Sequence, residues 1–168
     1  MHSVALSSEE PRERVEILAC ETCGGKAELD AQGQTRGQRL LTLLREARSV
    51  FARAPEGALR QAGEVEITVS GSTCLWACQR SCAVHLRSAG KAGYVLCDLE
   101  PNQASAQGLF DYATLYGQSA EGAVPYKQWP EALRGHFLCR VPSLLAPPRA
   151  RFDTLPASLS EPSKKETP

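Results

Sequence analysis

Cysteine is the residue type here with chemistry to offer, and the chain of 168 residues holds seven. Cys20 and Cys23 are separated by two residues and followed directly by Gly24 and Gly25, so the backbone can turn tightly around a bound ion. Cys74, Cys78 and Cys82 form a second group, each four positions after the last, in a segment opened by Gly71. Four thiolates can hold zinc tetrahedrally or a [2Fe-2S] cluster, since both take soft sulfur ligands, and spacing does not separate the two. A thioredoxin-type dithiol at Cys20 and Cys23 is a third chemistry. It needs the pair at a helix start to lower a thiol pKa, and the two glycines argue against one. Cys97, in a strand, and Cys139, in an apolar-flanked loop, read as small apolar residues.

The elements around these residues decide whether the two groups can meet. Glu13 to Cys20, ERVEILAC, is short, apolar and β-branched, and reads as a buried strand ending at the first pair. The run GQRLLTLLREARSVFARA places Leu40, Leu44, Ala47, Phe51 and Ala54 at helical spacing, with Arg39, Arg45, Glu46 and Arg48 for the wet face. Glu64 to Ser70, EVEITVS, alternates as a second strand. Strand, helix, strand implies a right-handed crossover with the two strands parallel, which delivers both cysteine loops to one end of the sheet. Cys82–Ser88 and Gly93–Leu99 flank the turn AGKA as a hairpin. Asn102 or Ser105 caps a second helix running through Tyr116, with Ala106, Leu109, Phe110, Ala113 and Tyr116 as its buried stripe. VPYKQWPEALRGH is turn-rich, with Pro130 suited to the first turn of a short helix. The expected fold is α/β, with a mixed four-stranded sheet and flanking helices in the order β-α-β-β-β-α plus a C-terminal extension, the order of a thioredoxin-like domain.

Composition sets the bounds. The chain carries 19 basic and 19 acidic residues and is 42% hydrophobic, which gives no global signal for nucleic acid or for a polybasic membrane binder. No stretch approaches the roughly 18 to 20 apolar residues of a membrane span, and MHSVALSSEEPRER does not read as a secretory signal. The expected location is cytoplasmic, where metal ligation and redox chemistry outrank structural disulfides. The expected organisation is a flexible tail over 1–12, one metal-binding domain over 13–141, and a Pro-rich, disordered tail over 142–168.

The first cysteine pair after strand one, and GSTCLWACQRS after strand two followed by a hairpin and a helix, resemble the thioredoxin-like [2Fe-2S] ferredoxins from about Val15 to Tyr116. More closely, CLWACQRSCAVHLRSAGKAGYVLCDL, EGAVPYKQWP and RGHFLCRVP resemble an uncharacterised bacterial family of predicted metal-binding proteins, a domain of unknown function sometimes encoded among cobalamin-related genes. The ferredoxin resemblance implies Cys20, Cys23, Cys74 and Cys78 as ligands. The first pair is closer together than in many ferredoxins of this fold, and Cys82 stands where they usually carry a proline after glycine. That leaves Cys82 as an alternative fourth ligand or a spare thiol.

The surroundings add expectations. No acidic residue occurs between Glu66 and Asp98, while Arg80, Arg87 and Lys91 are cationic; they either set the field of an anionic cluster and dock an acidic redox partner, or are simply solvated. His85 alternates away from Val84 and Leu86 and reads as a surface or satisfied histidine, with a mixed Cys and His zinc site kept open. Trp76, between two proposed ligands, either shields the cluster or contacts a partner, whereas Trp129 pins the C-terminal segment. No phosphate loop, HExxH helix or GxSxG elbow is present. The expectation is therefore a carrier rather than a catalyst: a single-electron [2Fe-2S] protein with a protein redox partner, or a zinc-binding or metal-transfer module on the same cysteines, linked or not to cobalamin metabolism. Neither nucleic acid nor membrane is expected as a partner, and a homodimer stays open.

Overall fold

The computed structural model describes residues 13–24, 29–51 and 65–143. Residues 1–12 and those after Ser143 lie outside the described residues, and with them most of the expected tails. The order is β1 (Glu13–Cys20), α1 (Arg36–Phe51), β2 (Val65–Ser72), β3 (Val84–Arg87), β4 (Gly93–Leu96), α2 (Gln103–Gln118) and β5 (Phe137–Val141), with short 3-10 turns at Cys78–Arg80, Tyr126–Gln128 and Glu131–Leu133.

These form a mixed sheet in the order β2-β1-β3-β4-β5. β1 and β2 run parallel, from Glu13 opposite Val65 to Cys20 opposite Ser72. The β1–β3, β3–β4 and β4–β5 pairs are antiparallel. The strand alternation decides the faces: Val15, Ile17 and Ala19 are buried while Arg14 is exposed and Glu16 half-buried. α1 and α2 pack against each other and against β1 and β2, closing a core of Val15, Ile17, Leu40, Leu44, Leu86, Leu109 and Phe110. The opposite face carries a polar ladder, with Arg14 on Glu66 at 3.2 Å, Arg87 on Glu16 at 2.7 Å and the Ser70 hydroxyl also donating to Glu16.

Both helices start as their sequences require. Thr35 and Gln38 exchange backbone-to-side-chain bonds of 2.9 and 3.1 Å ahead of α1, a reciprocal capping box. Of the two candidate caps for α2, Asn102 is used; its side chain accepts the Ser105 N–H at 2.9 Å. Ala54, placed on the stripe of the first helix, lies outside the described residues. Leu41 and Tyr112 join the expected helix stripes as buried residues.

The sheet has five strands, not four. The fifth, β5, lies in a segment with no alternating buried face, because it is an edge strand whose residues are all exposed. Cys139 accordingly stands in an exposed strand, not in a loop. The link to β5 is pinned as expected: Trp129 is buried, donates from Nε1 to the Val124 carbonyl at 3.0 Å, and packs its ring 4.8 Å from that of Tyr112 and 6.0 Å from that of Tyr94. Among the described residues no helix is long and apolar enough to cross a membrane.

Candidate metal centre

Parallel pairing of β1 with β2 ends both strands at one edge, with Cys20 opposite Ser72. The two following loops are tied side by side there: the Glu21 N–H donates to the Ser72 carbonyl at 2.8 Å and the Thr22 hydroxyl to the Thr73 carbonyl at 2.7 Å. Cys20 closes β1, and Cys23 sits in the turn beyond it, which Gly24 continues at φ +86°.

The N-terminus of α1 is seated on this turn. The Gly37 N–H donates to the Cys23 carbonyl at 3.2 Å and the Thr35 hydroxyl to the Glu21 carbonyl at 2.5 Å. Contact is so close that a Cβ on Gly37 would stand 2.0 Å from the Cys20 carbonyl oxygen. Ala83, just before β3, completes the cradle. Its carbonyl accepts the Cys20 N–H at 3.0 Å, and its own N–H points at the Cys23 sulfur at 3.3 Å.

In the second loop Trp76 takes a left-handed conformation, φ +56°, and donates its backbone N–H to the Cys74 sulfur at 3.3 Å. Cys78 opens the 3-10 turn that follows. The thiols interact across the two loops. Burial disfavours a Cys20 thiolate, yet the Leu75 N–H, the Cys23 thiol and Thr22 together outweigh it and hold the Cys20 pKa below the ordinary thiol value. Cys23 is pushed up to about 12 by burial, against the Ala83 N–H, with the neighbouring Cys20 and Cys82 adding to the rise. Cys78 is raised by the charge and hydrogen bond of Cys74, and more weakly by Cys20. Cys20 and Cys23 thus influence each other within the first loop and Cys74 acts on Cys78 within the second, with a weaker effect of Cys20 on Cys78 between them. Among the described residues, no three His, Cys, Asp or Glu side chains converge closely enough to hold an ion in this arrangement.

Cys82 is fully buried behind Cys23, and its pKa is raised by burial and opposed by the Arg36 guanidinium, which bonds it. Arg36 also reaches Glu100 at 3.1 Å. Cys97 is fully buried and Cys139 exposed.

The expected cations do not gather at this end. Arg80 does lie near the second loop, but it is paired with Asp98 at 2.6 Å. Arg87 pairs with Glu16 near the start of β1. Lys91 is buried at that same far end, donating to the Gly117 carbonyl at 2.6 Å and to Glu13 at 3.1 Å. His85 sits on the polar face between Leu18 and Val95; burial first, then Arg87, holds its pKa below the ordinary histidine value. The Trp76 side chain is 93% exposed, the disposition of a contact surface more than of a shield.

Gly37, Ala83 and Arg36 are the site-building residues that pattern reading missed. Only the Thr35–Gln38 capping box gave a signal, by fixing where α1 begins.

The family described as a protein of unknown function (DUF1636) matches residues 17–143. No curated protein and no solved structure matches the chain.

Proposed function

We propose that this chain, which belongs to the DUF1636 family, is a cytoplasmic, thioredoxin-like [2Fe-2S] protein that carries single electrons to or from a partner protein. Cys20, Cys23, Cys74 and Cys78 are the ligands in this reading, with Cys82 behind them as a spare thiol. One observation carries it: β1 and β2 end side by side, with Cys20 opposite Ser72 and the Thr22 hydroxyl of the first cysteine loop donating to the Thr73 carbonyl of the second, so two cysteine groups distant in sequence share one end of the sheet.

The donor set suits such a group in its chemistry, although the four sulfurs do not converge on one point in this structure. All four donors are sulfur, and backbone N–H groups already point at three of them: Leu75 at Cys20, Ala83 at Cys23 and Trp76 at Cys74. N–H donors spread the charge of metal-bound thiolates and are a standard means of setting cluster potential. Loading then requires the second loop to draw Cys74 and Cys78 onto the buried pair. The thioredoxin-like assignment is supported by the order β2-β1-β3-β4 with β1 and β2 parallel and the other pairs antiparallel. The dithiol reading is disfavoured, because the first helix after Cys20 and Cys23 among the described residues begins only at Arg36.

A second reading, zinc binding or metal transfer on the same thiols, is favoured by the exposure of Cys78. Anaerobic purification with a visible spectrum and analysis of iron, zinc and acid-labile sulfide separates the readings. A red-brown chain with about two irons and two sulfides supports the carrier. A colourless chain with one zinc supports the second reading, and a metal-free chain rejects both.

A further inference from the structure

The two edges of the sheet differ in kind. β2 alternates Glu66, Thr68, Ser70 and Ser72 along one face, whereas β5 reads Phe-Leu-Cys-Arg-Val with every residue exposed. β5 pairs only with β4, so among the described residues the backbone groups on its outer side have no strand to meet. Natural edges are blunted by Pro, Lys, inward charges or bulges. β5 has a register shift opposite Val95 and Leu96, and from Cys139 to Val141 its register against Gly93–Val95 is regular. Its one charge, Arg140, folds back over the ring of its own cross-strand neighbour Tyr94, 5.3 Å from the centroid. Exposed apolar side chains gather at this edge. Of the seven large ones among the described residues, Phe137, Leu138 and Val141 lie on β5, and Tyr126 joins them through Trp129, whose ring lies 5.5 Å from that of Tyr126 and 6.0 Å from that of Phe137. Such a gathering is a patch and not the ordinary scatter of a surface.

We infer that β5 is a self-association edge, on which a second copy of this chain adds its own β5 antiparallel across a two-fold axis. A two-fold that joins antiparallel strands in one sheet stands perpendicular to the sheet, so one residue must lie opposite its own copy. Arg140 at that position would oppose two like charges. Leu138 there would put the register shift at the centre and set Arg140 and Val141 opposite His136 and Gly135, beyond the strand. Cys139, the middle of β5, avoids both: Phe137 then faces Val141, Leu138 faces Arg140 and Cys139 faces Cys139. The strand is complementary to itself in this register, with apolar side chains opposed and the two arginines kept apart, which is the reason for a second copy as the occupant. The five residues of β5 are well under the roughly 20–30 a side of a stable interface. The dimer is accordingly weak and dissociates on dilution.

Charge placed at Leu138 tests the register in the full-length chain. By symmetry Leu138→Lys sets an ammonium against Arg140 of the second copy twice, and Leu138→Glu sets a carboxylate there twice. In sedimentation equilibrium at low salt Leu138→Glu is expected to dimerise at least roughly threefold more tightly than Leu138→Lys, and high salt should erase the difference. Circular dichroism should be the same for both, since the side chain is exposed. If Leu138→Lys does not fold, the salt dependence of Leu138→Glu against wild type decides alone. Cys139 reports the centre of the pairing. Diamide takes one hydrogen from each of two thiols and leaves a disulfide, and Cys78, the other exposed cysteine, is removed as Cys78→Ser. That variant is expected to give a disulfide-linked dimer in a fraction that rises with protein concentration, and Cys78→Ser with Cys139→Ser to give none. Equal association of the two charge variants overturns the inference. So does a wild-type chain that stays monomeric at its highest soluble concentration, which would leave the edge to the segment after Ser143 or to another protein.

Discussion

The Ala83 N–H points at the Cys23 sulfur at 3.3 Å, from sixty positions further along the chain. The same residue accepts the Cys20 N–H through its carbonyl at 3.0 Å, so one residue's backbone brackets the Cys-x-x-Cys turn. This follows from β3 lying antiparallel beside β1, which brings the residue before β3 to the end of β1 where the pair sits. A bonded thiolate is favoured over a free one, and the geometry of the turn is set before any ion arrives.

Serine in place of five of the cysteines should therefore divide them into two classes. Cys20→Ser, Cys23→Ser and Cys74→Ser are expected to lose stoichiometric metal, while Cys139→Ser, on the exposed edge strand, keeps it. Cys97→Ser is expected to keep its metal as well but to lose about 1–3 kcal/mol of stability, because a hydroxyl then enters a fully buried site. Metal analysis and urea denaturation of the same preparations check both halves. Metal retained in Cys20→Ser would refute the ligand set.

Gly37→Ala asks whether the seat of α1 matters to the site or only to the fold. Its Cβ would stand 2.0 Å from the Cys20 carbonyl oxygen, a backbone atom that cannot swing aside, so the helix start must move off the turn. Overpacking of this kind costs about 1–3 kcal/mol. Gly33→Ala supplies the control: its Cβ meets nothing within 4 Å, but its φ of +73° makes alanine strained by roughly 1–2 kcal/mol. Both variants should lose comparable stability in urea, and only Gly37→Ala should lose metal affinity. Equal metal affinity in the two would make Gly37 a purely structural residue.

Lys91→Met should cost stability without touching the site. It removes the donor from the Gly117 carbonyl and from Glu13, and a buried acceptor left without its donor costs about 1–3 kcal/mol. Because Lys91 lies at the opposite end of the sheet from Cys20, metal content should match wild type. A drop in metal content at full stability would restore Lys91 to the cluster's surroundings.

Lys91 also marks the limit of linear reading. A count of acids between Glu66 and Asp98 left Arg87 and Lys91 without counterions, yet Glu16 and Glu13 on β1 supply them through strand pairing that no local window contains. Local signals served better. The apolar, β-branched run of β1, the stripe from Leu40 to Leu44 and a cap at Asn102 or Ser105 were all legible, because each element is shaped by its own side chains. β5 was not, since an exposed edge strand has no apolar face to announce it. At the candidate site the cysteines were visible by type and spacing, but Gly37 and Ala83 act through backbone atoms, and their side chains carry no sign of that use.

His85 gives the chain a pH dependence of its own. Its Nε2 is buried with no hydrogen-bond partner among the described residues, and burial followed by the charge of Arg87 lowers its pKa, with Glu16 opposing. The unfolded chain then binds a proton more readily than the folded one. The resulting stability is present above the unfolded value of about 6.5 and is lost as pH falls through the folded pKa. Glu16, whose pKa is lowered chiefly by the Ser70 hydrogen bond, follows the same sign in a more acidic window. Urea midpoints of the wild-type chain should therefore fall between roughly pH 7.5 and 5.5. His85→Leu should flatten that fall and cost little at the upper pH, because the buried Nε2 has no hydrogen bond to lose. An unchanged slope in His85→Leu would assign the acid sensitivity to other groups.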